Sequence, residues 1–256
     1  MAVAALCGAS TKDEALRVIT TLPGLPAHQT APAAAWLASL YPADGDRYWG
    51  SLQPDRIAEY HASRTLTEDD IPLPALLGAA TPGQQAQLIT VLARAAIAHY
   101  NTGRTTASEQ VLHTLDTALD TAPLTYQGIR TAADALPYPS RVIAPLALRL
   151  TVVLAHTHQQ LAEGNPAAYE PDLATSLAVF AMLLAAEGDL SVALRATGEA
   201  VELYRSHVVS APSVLPRLHA LLGLQADLLD GLGREAEAEA VRRWLGENPR
   251  PPDSRN

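Results

Sequence analysis

Apolar residues recur at three- and four-residue spacings through most of the chain and period-two runs are scarce, so the pattern predicts helices almost throughout. The clearest stripe is Leu173, Leu177, Phe180 and Leu184, in a helix whose first turn suits Pro171 because proline lacks an N–H that would go unpaired there anyway. Gly188-Asp189 breaks that helix, and Leu190, Ala193, Leu194, Val201 and Tyr204 mark the buried stripe of a second, antiparallel one. The hairpin recurs after about 45 residues: Ala147-Leu148-Arg149 returns as Ala193-Leu194-Arg195, and Gly188 to Leu194 is echoed by Gly233 to Glu239. Its connectors repeat too, with Asn165-Pro166 and Pro171 answered by Ala211-Pro212 and Pro216. Small residues, Ala193 and Ala200, then Ala238, fall where two helices must approach closely.

The first half carries a different pattern. Thr11-Lys12-Asp13-Glu14 predicts a capping box for a helix reaching Leu22, where Pro23-Gly24 ends it. A second helix containing Trp36 is closed by Pro42, followed by a turn at Asp44-Gly45-Asp46 and a short extended piece around Trp49. Pro54 opens another helix with Asp55 near its positive end, and a further helix runs from Pro82 to Tyr100. The reading is an all-α chain with an N-terminal helical region over 1–70, a non-repetitive helical region over 71–140, repeats over 141–248 and a disordered tail over 249–256.

The repeating unit resembles the tetratricopeptide repeat in its longer form. Gly188 matches the inter-helix glycine, Ala193 and Ala200 the two small positions, and Leu177, Phe180 and Leu184 the large apolar ones. Gly233, Ala238, Leu222 and Leu229 match in the next unit, which departs from the motif at Leu245 and Gln225 and so looks terminal. The resemblance implies antiparallel hairpins stacked as a right-handed solenoid, whose first helices line a concave face. It places Thr175, Ala178, Met182, Ala185, Asp227 and Asp230 there as candidate partner-binding residues, suited to an apolar or basic peptide seated by Met182 and steered by the two aspartates.

A second resemblance covers most of the chain more loosely. Trp36-Leu37-Ala38-Ser39-Leu40-Tyr41-Pro42, then Trp49-Gly50-Ser51-Leu52-Gln53-Pro54-Asp55 with Ala58-Glu59, is similar to the segment joining nucleotide-binding module and repeats in actinobacterial signal-transduction ATPases of the NB-ARC type. Leu76-Leu77, Arg94-Ala95-Ala96 and the connector from Asn165 to Leu173 extend it. It implies a small winged-helix-like remnant over Trp36 to Thr65 and the sensor or scaffold arm of a signalling regulator. No Walker A loop is present, since the single lysine, Lys12, lies at a helix start, so the ATPase module is missing. The alternatives are an accessory subunit completing a separate NTPase and a helical transcription regulator.

Composition narrows the function further. At 256 residues and 48% hydrophobic content the chain can bury a sizeable core, while a net charge of -9 disfavours nucleic acid. Cys7 stands alone, so no intrachain disulfide forms, and Ala2 to Leu6 ahead of it lacks the basic region and length of a lipoprotein signal. No run reaches the roughly 18 consecutive apolar residues of a membrane span, the stretch from Ala144 to Ala155 being interrupted by Arg149. A cytoplasmic, membrane-free protein that binds a protein or peptide partner, or its own copies, is expected. His156 and His158 point about 160° apart on a helix, which excludes a shared metal. No nucleophile elbow or other catalytic constellation occurs, so no metal, cofactor or enzyme activity is expected. Trp36, Trp49 and Trp244 sit among apolar neighbours and are expected to pack. The trio Glu68-Asp69-Asp70 before Pro72 reads as a solvated loop or helix start.

Overall fold

A computed structural model describes residues 2–43, 45–50, 72–137 and 140–248. Consecutive α-helices pack on one another, and the described residues form no strand, only an isolated antiparallel bridge between Ala9 and Trp49. That bridge lies where an extended piece was expected. Asp44, the helix opened by Pro54, the trio Glu68-Asp69-Asp70 and the 249–256 tail lie outside the described residues, as does much of the expected winged-helix-like remnant. The chain divides into two compact units, residues 1–146 and 147–256.

The first unit holds α1 (Ala2–Cys7), α2 (Lys12–Ile19), α3 (Ala27–Leu40), α4 (Leu73–Ala79), α5 (Pro82–Asn101), α6 (Thr105–Thr121) and α7 (Tyr126–Ala135); α1, α4, α6 and α7 pack on α5, and α2 packs on α1, α3 and α4. The capping box at the head of α2 forms as expected, Thr11 Oγ1 accepting from the Glu14 amide at 3.2 Å. The helix stops at Ile19 instead of Leu22, because the hydroxyls of Thr20 and Thr21 turn back onto the carbonyls of Arg17 and Val18. A second box, Thr81 with Gln84, starts α5 with Pro82 in the first turn. Gln84 also donates to the Gly8 carbonyl at 2.8 Å, closing the C-terminal end of α1. Its neighbour Gln85 is buried. It donates to the carbonyls of Leu77 (2.9 Å) and Pro123 (3.2 Å) and accepts from the amide and hydroxyl of Thr125 (3.0 and 2.7 Å), so one side chain ties together three chain segments. Every residue of α1 is buried, Cys7 included, and burial pushes that thiol's pKa up, leaving it an inert apolar filler. Trp49 is buried as expected, but Trp36 is 55% exposed: it stands on the solvent side of α3, whose buried residues are Thr30, Ala34 and Leu37.

The second unit begins inside α8 (Ala144–Gly164) and continues with α9 (Pro166–Glu187), α10 (Leu190–His207), α11 (Leu215–Gly231) and α12 (Glu235–Glu247). Two hairpins result, α9 with α10 and α11 with α12, and α10 also packs on α11. At both hairpin turns the glycine takes a left-handed backbone, Gly188 at φ 89° and Gly233 at φ 73°, which other residues adopt only with strain. Asp189 then caps α10 by accepting from the Val192 amide. Ala193, Ala200 and Ala238 are fully buried at the close approaches. Ala174, Val201, Tyr204, Leu218, Leu221 and Leu222 form the apolar cluster between the hairpins.

Two details of α9 depart from the sequence reading. Pro166, not Pro171, takes the first turn, so Pro171 sits inside the helix and leaves the Ala167 carbonyl without its usual donor. Ala167 is exposed, and water can satisfy that carbonyl. The stripe Leu173, Leu177, Phe180 and Leu184 is only half-buried, while Ala174, Ser176, Ala181 and Leu183 are buried instead. The helix is apolar nearly all round, so periodicity alone could not say which side its neighbours cover. By length and composition α9 is also the one helix among the described residues apolar enough to cross a membrane, although no run of consecutive apolar residues is long enough; Ala174 and Ala181 nonetheless lie fully buried within the helical packing.

Candidate functional site

The first three residues of the half-buried stripe of α9 line an open groove in the second unit. Leu173, Leu177 and Phe180 lie at its base, Val152 and Ala155 of α8 form one wall and Leu203 of α10 the other. Its volume is about 780 Å³. The wall from α8 is edged by His156 and Gln159, the wall from α10 by Glu199 and Glu202. Glu202 reaches Arg205 at 3.2 Å, an exposed pair of little energetic weight, and His156 Nε2 lies 3.0 Å from Gln160 Nε2. Val152 is 47% exposed, so the groove opens to solvent along an apolar wall.

A smaller groove of about 550 Å³ lies between α10 and α12 over α11, lined by Leu194, Leu229, Leu232 and Val241. Gly198 borders both. The smaller groove is edged by Arg234 and Glu237, which bond to each other at 2.7 Å twice over; that bidentate contact lowers the carboxyl pKa of Glu237 and raises that of the guanidinium. Arg234 and Glu237 thus engage each other, while on the acidic edge of the larger groove Glu202 pairs with Arg205.

The residues expected to bind a partner are distributed over a different strip. Met182 is 42% exposed, with Val179 exposed beside it, on the side of α9 roughly half a turn away from Phe180. Thr175 is occupied: its hydroxyl donates to the Pro171 carbonyl at 2.9 Å and lies 2.9 Å from the Tyr204 hydroxyl. Ala178 packs against the cluster between the hairpins, and Ala185 is half-buried. Asp227 and Asp230 both meet Arg242, Asp227 at 3.6 Å and Asp230 as a direct acceptor, and the bond to Asp230 is the main reason the guanidinium pKa is raised. Among the six, Met182 is therefore the one with an open apolar side chain. The structure does not gather them into one pocket.

The titratable groups of this unit serve packing. His158 Nδ1 lies 2.9 Å from Ser176 Oγ in a buried link between α8 and α9, and His207 Nε2 lies 2.6 Å from Glu170 Oε2 across the α9–α10 hairpin. Among the described residues no three of His, Cys, Asp and Glu converge as metal ligands. In the sequence the floor residues stand out as an apolar stripe, which reads as core. The available signal was the apolar character of α9 on every side, which says that some of its faces need covering from elsewhere. No protein-family model, curated protein or solved structure matches the chain.

Proposed function

We propose that the chain is a non-enzymatic protein-recognition module, built of stacked hairpins of the tetratricopeptide kind and serving as the sensor or scaffold arm of a signalling regulator. One observation carries this reading: α9 keeps apolar side chains open to solvent on two opposite sides, Val179 and Met182 on one and the floor of the larger groove on the other. Surfaces of that kind mark protein contacts. The matched turn glycines and buried alanines of the two hairpins support the repeat reading.

The test is to pan a displayed library of helical peptides against the full chain and measure the selected peptides by fluorescence anisotropy. Saturable binding is expected, weakened in Met182→Arg or in Val152→Gln and unchanged in Glu109→Lys, an exposed site on α6 of the first unit. A library that yields no saturable binder, or binders indifferent to both α9-side changes, would overturn the proposal.

A further inference from the structure

Resting on that reading, we infer that the groove between α8, α9 and α10 docks an amphipathic helix of a partner protein, one with Leu-sized side chains at three- and four-residue spacing and Lys or Arg along one flank. The floor dictates the shape of the occupant. Leu173, Leu177, Phe180 and Leu184 follow the alternating four-three-four spacing of a helix–helix seam over about 16 Å; all four are half-buried, and the first three line the open groove, Leu177 also packing on the cluster between the hairpins. A helix laid along it meets holes between these side chains, flanked by Val152 and Ala155 on one wall and Leu203 on the other.

The rim dictates the charge of the flank. Glu199 and Glu202 stand along the α10 wall, His156 and Gln159 along the α8 wall, so a basic flank is favoured on the α10 side and an acidic one is repelled. Net charge disfavours a second copy: a chain at -9 repels its own copy, and the groove's charged edge carries the same sign.

The experiment uses the full chain and two synthetic labelled helices of about 18 residues, long enough to present a stripe. Both carry Leu at the seam spacing; one has Lys along the flank, the other Glu. The Lys peptide is expected to bind about tenfold more tightly at low salt, a preference on the scale of two exposed charge pairs and reduced at high salt. The double variant Glu199→Lys with Glu202→Lys, both exposed positions, inverts the preference. Val152→Gln, a change on the open wall that leaves the buried cluster intact, weakens both peptides about fivefold. Equal binding of the two peptides, or a preference that survives the double variant, overturns the inference. Binding lost in Met182→Arg but kept in Val152→Gln places docking on the opposite strip of α9: the recognition reading then stands while this one falls. A dimer in sedimentation that Val152→Gln disperses assigns the groove to a second copy and likewise overturns it.

Discussion

A Cβ placed on Gly128 would come within 2.4 Å of Gln85 Oε1 and 2.9 Å of Thr125 Oγ1, so the glycine at the head of α7 is what lets the Gln85 carboxamide reach its partners. Gly128→Ala is expected to destabilise the first unit by about 1–3 kcal/mol through this clash, read as a lower urea midpoint. Nothing of this was legible in the sequence, where a glutamine inside a helix looks like a solvent-facing residue; its burial follows from segments more than 30 positions away. Gly198 is the opposite case. It lies in the middle of α10 with open space where a Cβ would stand, so Gly198→Ala is expected to stabilise by about 0.5–1 kcal/mol and raise the melting temperature. His99 adds a pH dependence: burial first, and then Arg104, hold its pKa below the ordinary value. Below about pH 6.5 the unfolded chain takes up a proton that folded His99 resists, so stability is full above that value and lost as pH falls through it toward the lowered one. Urea midpoints at about pH 7 and about pH 5 should differ more for the native chain than for His99→Gln.

At the scale of elements, starts and stops were readable where a side chain bonds locally. Thr11 with Glu14, Gly188 with Asp189, and Gly233 fix their ends through bonds within a few residues, and the structure keeps all of them. The Thr81–Gln84 box was equally local and its residues spell the same signal, a hydroxyl three positions before an amide, with Pro82 between. Which face of a helix is covered was readable only where polar residues mark the other face. In α10, the arginine and glutamates at 195, 199 and 202 leave one side for the core, and Ala193, Ala200, Val201 and Tyr204 are buried as expected. In α9 alanine and leucine surround the axis, and the fully covered sides hold Ala174 and Ala181 on one and Ser176 and Leu183 on the other, leaving the larger stripe half-buried between them. Ala200→Leu, at the matching position on α10, is expected to cost about 1–3 kcal/mol by overpacking, checked by chemical denaturation.

For the whole molecule, the helical period of its apolar residues anticipated an all-α chain, and the described residues are one. The division between the two units falls after residue 146, inside helix α8. Site residues were legible as residue types and not as an arrangement: Asp227 and Asp230 do form an acidic pair, but the Arg242 they meet comes from the next helix. The missing phosphate loop bears on the chain as a whole. Calorimetry with Mg-ATP is expected to show no saturable binding, and a tight isotherm abolished by Lys12→Ala would contradict that expectation.

Pro171 divides α9 into unequal parts, a lead of Pro166 to Glu170 and the long run that follows. With the bond to Ala167 missing, the lead can detach from solvent inward without the rest unwinding; the link from Glu170 to His207 fastens it to the hairpin partner. Amide hydrogen exchange should find the lead opening as its own small unit, faster in Glu170→Ala, while protection beyond Ala174 is unchanged. The helix then behaves as a rigid rod with a hinged latch at one end, and the His207 imidazole is one of its fastenings.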